Sequence, residues 1–278
     1  MEKSLFITVN YCNAALTIQL LKNLYALSGI ENFEIAVVDN TPSNTDFDKI
    51  NEYKNSISHP NLTLFRSEKN LGYFGAANFV IKNDIFKNYS FKYIIISNND
   101  IEIPDSNFLI TLLGIPEDAA VIAPDIISIL SHNHQNPYRE RPIKQSQKIQ
   151  YQLLYSNYYV GYLLHFIRKI FKKILLKNKR EDTNYSRKIF SAHGSFFIFT
   201  KKYFDAGCII DDTNFLYGEE DTVSAQCNKH AIPIIYYPEL KVYHNEHRTT
   251  KGEGFKKSIY YQQKKSYQNI KHKYLDYF

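Results

Sequence analysis

The sequence predicts an α/β fold with a mixed, mostly parallel sheet flanked by helices, and three observations carry that prediction. Short β-branched apolar runs alternate with helical segments over roughly the first 125 residues, which calls for parallel strands joined by right-handed crossovers. Several of those runs stop abruptly at Asn or Asp (Asn10, Asp39, Asn98), as strands do where the C-terminal edge of an open sheet meets a crevice. Finally, 44% hydrophobic content over 278 residues suffices for one large α/β domain, or for one domain with an appendage.

Leu5-Phe6-Ile7-Thr8-Val9 reads as the first strand, and Leu16, Leu20, Leu24 and Leu27 then share one helical face. Phe33 to Val38 reads as the second strand, closed by the turn Asp39-Asn40-Thr41-Pro42. Leu62-Thr63-Leu64-Phe65 is the third, after which Asn70-Leu71-Gly72 opens a helix. Tyr93 to Ser97 is a fully apolar run of the kind buried on both faces, followed by a helix near Phe108 to Leu113 and a strand at Ala119 to Ala123. From about Gln145 to Asn178 the pattern becomes one long, tyrosine-rich helical segment. Val160, Leu163, Leu164, Ile167, Ile170, Phe171 and Ile174 form its apolar stripe, and Arg168, Lys169, Lys172, Lys173 and Lys177 crowd its other side. Such a basic amphipathic helix either lies on an anionic membrane or packs its stripe on the body with its lysines in water. Strands resume at Phe196 to Phe199, Pro233 to Tyr237 and Lys241 to Tyr243, and a last helix runs from Ser258 to Tyr277 with Ile259, Tyr267, Ile270, Tyr274 and Tyr277 at helical spacing.

Charge is unevenly distributed. Arg139 to Lys188 holds 13 Lys or Arg against Glu140, Glu181 and Asp182, a local net of +10, and Arg248 to Phe278 has a net of +6. The chain total is +6, so the remainder is acidic. An anionic surface or ligand facing the middle and C-terminal regions would explain the asymmetry; so would two solvated helix faces. Cys12, Cys208 and Cys227 are odd in number and in no metal-binding spacing, which favours structural thiols in a reducing compartment. Met1-Glu2-Lys3-Ser4 passes directly into a strand and no apolar run reaches membrane-spanning length, so neither a signal peptide nor a spanning helix is expected. The expected location is the cytoplasm, at most peripheral at the inner face of the membrane.

Asn98-Asn99-Asp100, between the strand at Tyr93 and Ile101-Glu102-Ile103-Pro104, places a carboxylate flanked by amides at a strand end. That donor set suits a hard cation such as magnesium or manganese, which shares its shell with water and phosphate; it also suits a plain turn. Five further motifs stand with it in order: Asn10-Tyr11-Cys12-Asn13, Val37-Val38-Asp39-Asn40, Asn70-Leu71-Gly72, Phe215-Leu216-Tyr217-Gly218-Glu219-Glu220-Asp221, and Tyr237-Pro238-Glu239 to Val242-Tyr243-His244. Together, from Ser4 to about Thr250, they resemble the family 2 glycosyltransferases, in particular the branch of rhamnosyl- or galactosyltransferases of bacterial surface polysaccharides.

The resemblance implies a glycosyltransferase A-type fold. Residues 1–125 would be the nucleotide-sugar-binding α/β half, and 126–250 an acceptor-binding half that includes the basic insert at about 145–180. Residues 251–278 would form a C-terminal helix. It further implies an inverting transfer of sugar from a nucleoside-diphosphate donor, of UDP or dTDP type, to a hydroxyl of a saccharide or lipid-linked saccharide. A Mg or Mn cation would neutralise the departing diphosphate. Asp100 and His244 would hold that ion, with Asn98 in the place where relatives carry the first Asp of an Asp-X-Asp motif and Asn99 beside it. Asp39 would anchor the nucleotide, in a pocket shared with Asn10, Asn40 and Asn70. His193, before the strand at Phe196, would contact the donor sugar. The acceptor hydroxyl needs a general base, and that role falls to Glu220, with Asp221 as the other candidate and Glu219 as an orienting partner. Acidic residues in a helix's first turn also serve stability alone. Two other classes compete: a nucleotidyltransferase making nucleotide sugars, against which Asn10 to Leu21 contains no glycine, and a non-catalytic basic protein of membranes or nucleic acid, which leaves the ordered motifs unexplained.

Overall fold

The computed structural model describes residues 3–57, 61–86, 90–116, 118–175, 185–246 and 256–274, with the side chains of 168–175 outside the description. Lys177, Asn178 and Tyr277 therefore lie outside the described residues, as do the side chains of Arg168, Lys169, Ile170, Phe171, Lys172, Lys173 and Ile174.

Strand β1 (Ser4–Asn10) leads into helix α1 (Ala14–Tyr25), whose N-cap Asn13 accepts a hydrogen bond from the Leu16 amide. Then follow β2 (Phe33–Asp39), α2 (Thr45–Ser56), β3 (Leu62–Arg66), α3 (Gly72–Ile81), β4 (Tyr93–Asn98), β5 (Ile101–Glu102), α4 (Phe108–Leu113) and β6 (Val121–Ser128). The basic region holds α5 (Gln145–Leu154) and α6 (Tyr158–Leu175). The chain continues with β7 (Arg187–Ile189), β8 (Phe196–Thr200), α7 (Lys201–Asp205), α8 (Glu219–Lys229), β9 (Ile234–His244) and α9 (Lys257–Tyr274).

The strands form one nine-stranded sheet in the order β3-β2-β1-β4-β8-β6-β9-β5, with β7 also on β9. The first four strands are parallel, as is the long β6–β9 pair, while β8 runs antiparallel between β4 and β6. Most of the ladder is thus parallel, as expected. Alternation along the strands divides the core in two. Phe6, Ile35, Val37 and Ile95 pack under α1 and α4, and Leu5, Ile7, Val38, Ile94 and Ile96 pack on the other face with Phe74 and Val80 of α3. Because helices cover both faces, these strands read as unbroken apolar runs rather than alternating ones.

Three differences from the sequence reading bear on the site. Two-residue β5 and three-residue β7 were not anticipated; β5 sets Ile101 opposite His244. The single long helix predicted from Gln145 is broken at Tyr155–Asn157, because the Asn157 side chain accepts from the Val160 amide and caps α6 as a new helix. Its stripe is also divided: Val160 and Leu164 are half-buried, whereas Leu163 and Ile167 are exposed. The two expected strands at Pro233 and Lys241 are one strand, β9, whose pairing with β6 jumps from Tyr237 to Lys241, so that Pro238, Glu239 and Leu240 form a bulge.

Candidate active site

The C-terminal ends of β1 and β2 build a buried polar corner. Asn10 uses its whole side chain inside the protein: its amide nitrogen donates to Asp39 Oδ1 at 2.8 Å, Thr41 Oγ1 at 3.2 Å and Asp46 Oδ2 at 3.1 Å, and its oxygen accepts from the Thr17 hydroxyl at 2.7 Å. The position expected to line a nucleotide pocket therefore holds Asp39 in place. Asp39 also accepts from the Thr41 amide, and its second oxygen, Oδ2, is buried with no hydrogen-bond partner among the described residues. Asn40 repeats the pattern, its nitrogen donating to Gly72 O at 3.1 Å and its oxygen buried without a donor among the described residues. Enclosed acceptors of this kind are rare in native proteins and mark places where an arriving donor would be satisfied. Asn70 closes the corner by accepting from the Gly72 amide at 2.9 Å. Gly72 has φ +73 and lies against the Phe215 carbonyl so closely that a Cβ would overlap it. Only glycine meets both demands.

The second corner lies where the sheet changes direction. The Asn98 amide donates to Ser195 O, and the Asn99 side chain donates to Thr17 Oγ1 at 3.0 Å, which ties this turn to the first corner. Next to it, β5 draws Asp100 to the end of β9, where the Asn245 amide donates to Asp100 O and His244 Nε2 stands 3.4 Å from Asp100 Oδ1. The tautomer of His244 follows from its supports. Gln135 Nε2 donates to Glu246 Oε1 at 2.7 Å, so Gln135 Oε1 is the atom facing His244 Nδ1 at 2.8 Å, and Nδ1 must carry the hydrogen. Glu246 is itself held by the Ser128 hydroxyl at 2.7 Å. In the neutral ring, Nε2 is thereby left with its lone pair toward Asp100, the arrangement of a supported metal ligand. Adjacent ligands on a small octahedral cation stand about 3 Å apart, so these two donors fit one shared ion with little movement. No group of three or more His, Cys, Asp or Glu suited to a metal occurs among the described residues. The remaining coordination would therefore come from ligand oxygens and water.

The third corner is the start of α8. Tyr217 (φ 69) and Gly218 (φ 95) both adopt left-handed backbone, turning the chain so that Glu219, Glu220 and Asp221 form the first helical turn. There the helix dipole favours negative charge. Glu220 Oε1 accepts from the Gly194 amide at 3.1 Å, and a Cβ on Gly194 would stand only 2.6 Å from that oxygen. Asp221 is paired with Arg139, whose guanidinium lies 5.2 Å from the Tyr138 ring centroid. Glu219, Glu220 and Asp221 are all half-buried. Burial, reinforced by the Glu220 charge, pushes Glu219 up to about 8. Burial also raises Glu220 against the pull of its backbone hydrogen bonds, and raises Asp221 despite Arg139. The second and third corners meet through the His193-Gly194 pair, since the His193 ring lies 5.8 Å from that of His244 while the next residue, Gly194, donates to Glu220. Tyr73, whose hydroxyl donates to Ile96 O at 2.8 Å, is raised by burial and then by the charges of Glu219, Glu220 and Asp100. His193 lies at the same junction, its ring 5.8 Å from those of His244 and Tyr138. It accepts from the Ser195 amide through Nδ1, and burial, then the His244 charge, pushes it down to about 4.

What the sequence reading missed is how the loop before α8 is held. Helix α9 grips it at four points. Asp211 accepts from Lys273 Nζ at 2.8 Å and from the Tyr274 hydroxyl at 2.6 Å; Asn269 donates to Asn214 Oδ1; Ser266 donates to Leu216 O; and Ile270 fills the space beside Gly218, where a Cβ would stand 2.5 Å from its Cδ1. Burial raises Asp211, but the hydrogen bonds from Lys273, Thr213 and Tyr274 outweigh it and hold the carboxyl below its ordinary value. The only signal in the sequence is Ser266, Ile270, Lys273 and Tyr274 sharing one face of α9.

With this geometry in hand, the likenesses to known proteins are specific in family and coarse in detail. The family model described as "Glycosyl transferase family 2" matches residues 6–207, a stretch that ends before Asp211 and Glu219. No curated protein matches the chain in sequence. Among solved structures, the mannosyltransferase PcManGT from Pyrobaculum calidifontis, in complex with GDP-Man and Mn2+, is 15% identical with a TM-score of 0.54, over 89% of this chain and 58% of that one. GalNAc-T7 with UDP, GalNAc and Mn2+ is 14% identical with a TM-score of 0.61, over 97% of this chain and 48% of that one. TarS of S. aureus is 15% identical with a TM-score of 0.53, over 87% of this chain and 36% of that one. This chain spans less than two thirds of each of those chains, and at such identity the likeness is one of fold.

Proposed function

The chain belongs to glycosyl transferase family 2 and has the glycosyltransferase A fold, and from that premise we propose that it is an inverting hexosyltransferase of surface polysaccharide synthesis. It moves rhamnose or galactose from a UDP- or dTDP-linked donor to a hydroxyl of a saccharide or lipid-linked saccharide, at the cytoplasmic face of the membrane. The observation that carries this reading is the pairing of Asp100 with His244, 3.4 Å apart and joined to the acidic start of α8 through His193, beside His244, and Gly194, which donates to Glu220. A transfer of this class needs an ion at the leaving diphosphate and a base at the acceptor, on opposite sides of one crevice.

In this reading the donor's base and ribose satisfy Asp39 Oδ2 and Asn40 Oδ1, with Asn10 and Asn70 holding the pocket's walls. Asn98 and Asn99 present amides near the ribose. A divalent cation, Mg or Mn, bound by Asp100 and His244 would supply charge neutralisation for the departing diphosphate; Mn2+ accompanies a nucleotide or nucleotide sugar in two of the structural neighbours. Glu220 takes the proton from the acceptor hydroxyl. Its raised pKa suits a base working near neutral pH, whereas Asp221 is engaged by Arg139. His193 stays neutral and presents Nε2–H toward the donor sugar.

Calorimetry with UDP and dTDP, each with Mn2+ and with chelator, tests the reading. Nucleotide should bind at least tenfold more tightly with metal, and Asp100→Ala should remove that gain while the protein stays folded. Equal affinity with metal and with chelator would take Asp100 and His244 out of the metal role.

A further inference from the structure

Helix α6 carries an apolar stripe facing away from the protein. Tyr159, Tyr162, Leu163, Phe166 and Ile167 share one helical face, and each is between 37% and 77% exposed. Large apolar side chains on successive turns form a continuous patch, unlike the scattered surface hydrophobics of any soluble protein. The opposite side fastens the helix to the body: Gly161 is buried, the Tyr158 ring lies 5.4 Å from that of Tyr260 on α9, and α5 packs alongside. Rotation to hide the stripe would break those contacts.

Two facts identify what covers it. No helix among the described residues is long and apolar enough to cross a membrane, so α6 does not span one. The second half of α6 carries Arg168, Lys169, Lys172 and Lys173 in sequence, within a region of net +10. A second copy of this chain would bring two such regions together against their mutual repulsion. Anionic headgroups would be attracted instead, and a basic helix with Tyr, Phe and Leu on its apolar face is the form that lies in the plane of a bilayer.

We propose that α6 is an in-plane anchor that inserts Tyr159, Tyr162, Leu163, Phe166 and Ile167 into an anionic membrane surface. The inference goes beyond the transferase reading and stands or falls separately, since the anchor needs neither donor nor acceptor. The test is cosedimentation of the full chain, without substrate, with phosphatidylcholine vesicles that contain or lack phosphatidylglycerol, at low and high salt. Binding should require phosphatidylglycerol and fade with salt. Leu163→Ser combined with Phe166→Ser should lower the partition coefficient roughly tenfold or more for each side chain no longer inserted. Changing Arg168, Lys169, Lys172 and Lys173 to Gln should lower it roughly fivefold per charge at low salt, which corresponds to about 1 kcal/mol each. Circular dichroism checks that each variant folds. No binding at low salt, or binding that neither set weakens, overturns the proposal. So does a dimer that Leu163→Ser and Phe166→Ser dissolve in a protein that ignores vesicles.

Discussion

The two sides of the candidate site are held by different means. On the β1–β4 side, Asn10, Asp39 and Asn98 sit at the C-terminal ends of parallel strands, and Asn10 and Asp39 are held by each other, by Thr41 in the turn after β2, and by Thr17 and Asp46 on the helices that follow β1 and β2. On the α8 side, the acidic turn is set by groups far away in sequence: Gly194 on Glu220, Arg139 on Asp221, and α9 on residues 211–218. A strand end is placed by the sheet, so that Asn10 has only to orient the Asp39 side chain beside it. A loop before a helix has several conformations of similar energy, and only distant contacts choose among them. Substitutions on the α8 side should therefore impair turnover at constant donor affinity, and those at the Asp100–His244 seam should impair metal-dependent donor binding.

The largest expected effect is that of Glu220→Gln. Losing a general base lowers kcat by about 10²- to 10⁴-fold, and donor affinity should hold because the base acts on the acceptor in the transition state. Single-turnover kinetics beside nucleotide titration separates the two. Near-normal turnover in Glu220→Gln together with loss in Asp221→Asn would move the base one residue along α8. At the seam, Gln135→Leu removes the acceptor that fixes the His244 tautomer and should weaken Mn2+ binding by about 10- to 100-fold, read by metal titration with UDP present. An unchanged metal affinity would mean that the Gln135–Glu246 chain is structural only.

Loosening the α9 clasp should do less. Tyr274→Phe removes one buried hydrogen bond to Asp211 and should cost about 1–3 kcal/mol of stability, with a modest loss of kcat and no change in nucleotide affinity. If thermal stability falls with kcat intact, α9 holds the fold and not the catalytic loop. The pH dependence of stability gives a further test. Glu219 is pushed up to about 8 in the folded protein, so between its ordinary value and about 8 the folded state holds a proton that the unfolded state has released. Stability should therefore fall as pH rises through that window, and less steeply in Glu219→Gln. Parallel melting curves for both proteins against pH would show Glu219 to be ionised in the folded state.

Asp100 and His244 show how far the sequence can be read. Each was visible as a polar residue ending an apolar run, because burial forces a strand to be apolar until it emerges. Their 3.4 Å separation was not, since it depends on β5, whose two residues have no period to detect. Likewise Asp39 could be read, while the role of Asn10 as its support depends on four side-chain contacts across β1, α1 and the β2–α2 turn.

By itself the sequence determined the alternation of strands and helices, the strand ends that edge the crevice, the acidic triplet and the basic amphipathic segment, all of which follow from periodicity, burial and charge along one stretch of chain. Tertiary structure alone decided which carboxylate of the triplet is paired with Arg139, which nitrogen of His244 points at Asp100, that α9 grips the loop before α8, and that the α6 stripe faces outward. Those outcomes depend on distances between segments remote in sequence, and hydrophobic pattern, which records only whether a position is buried, carries no information about which neighbour buries it.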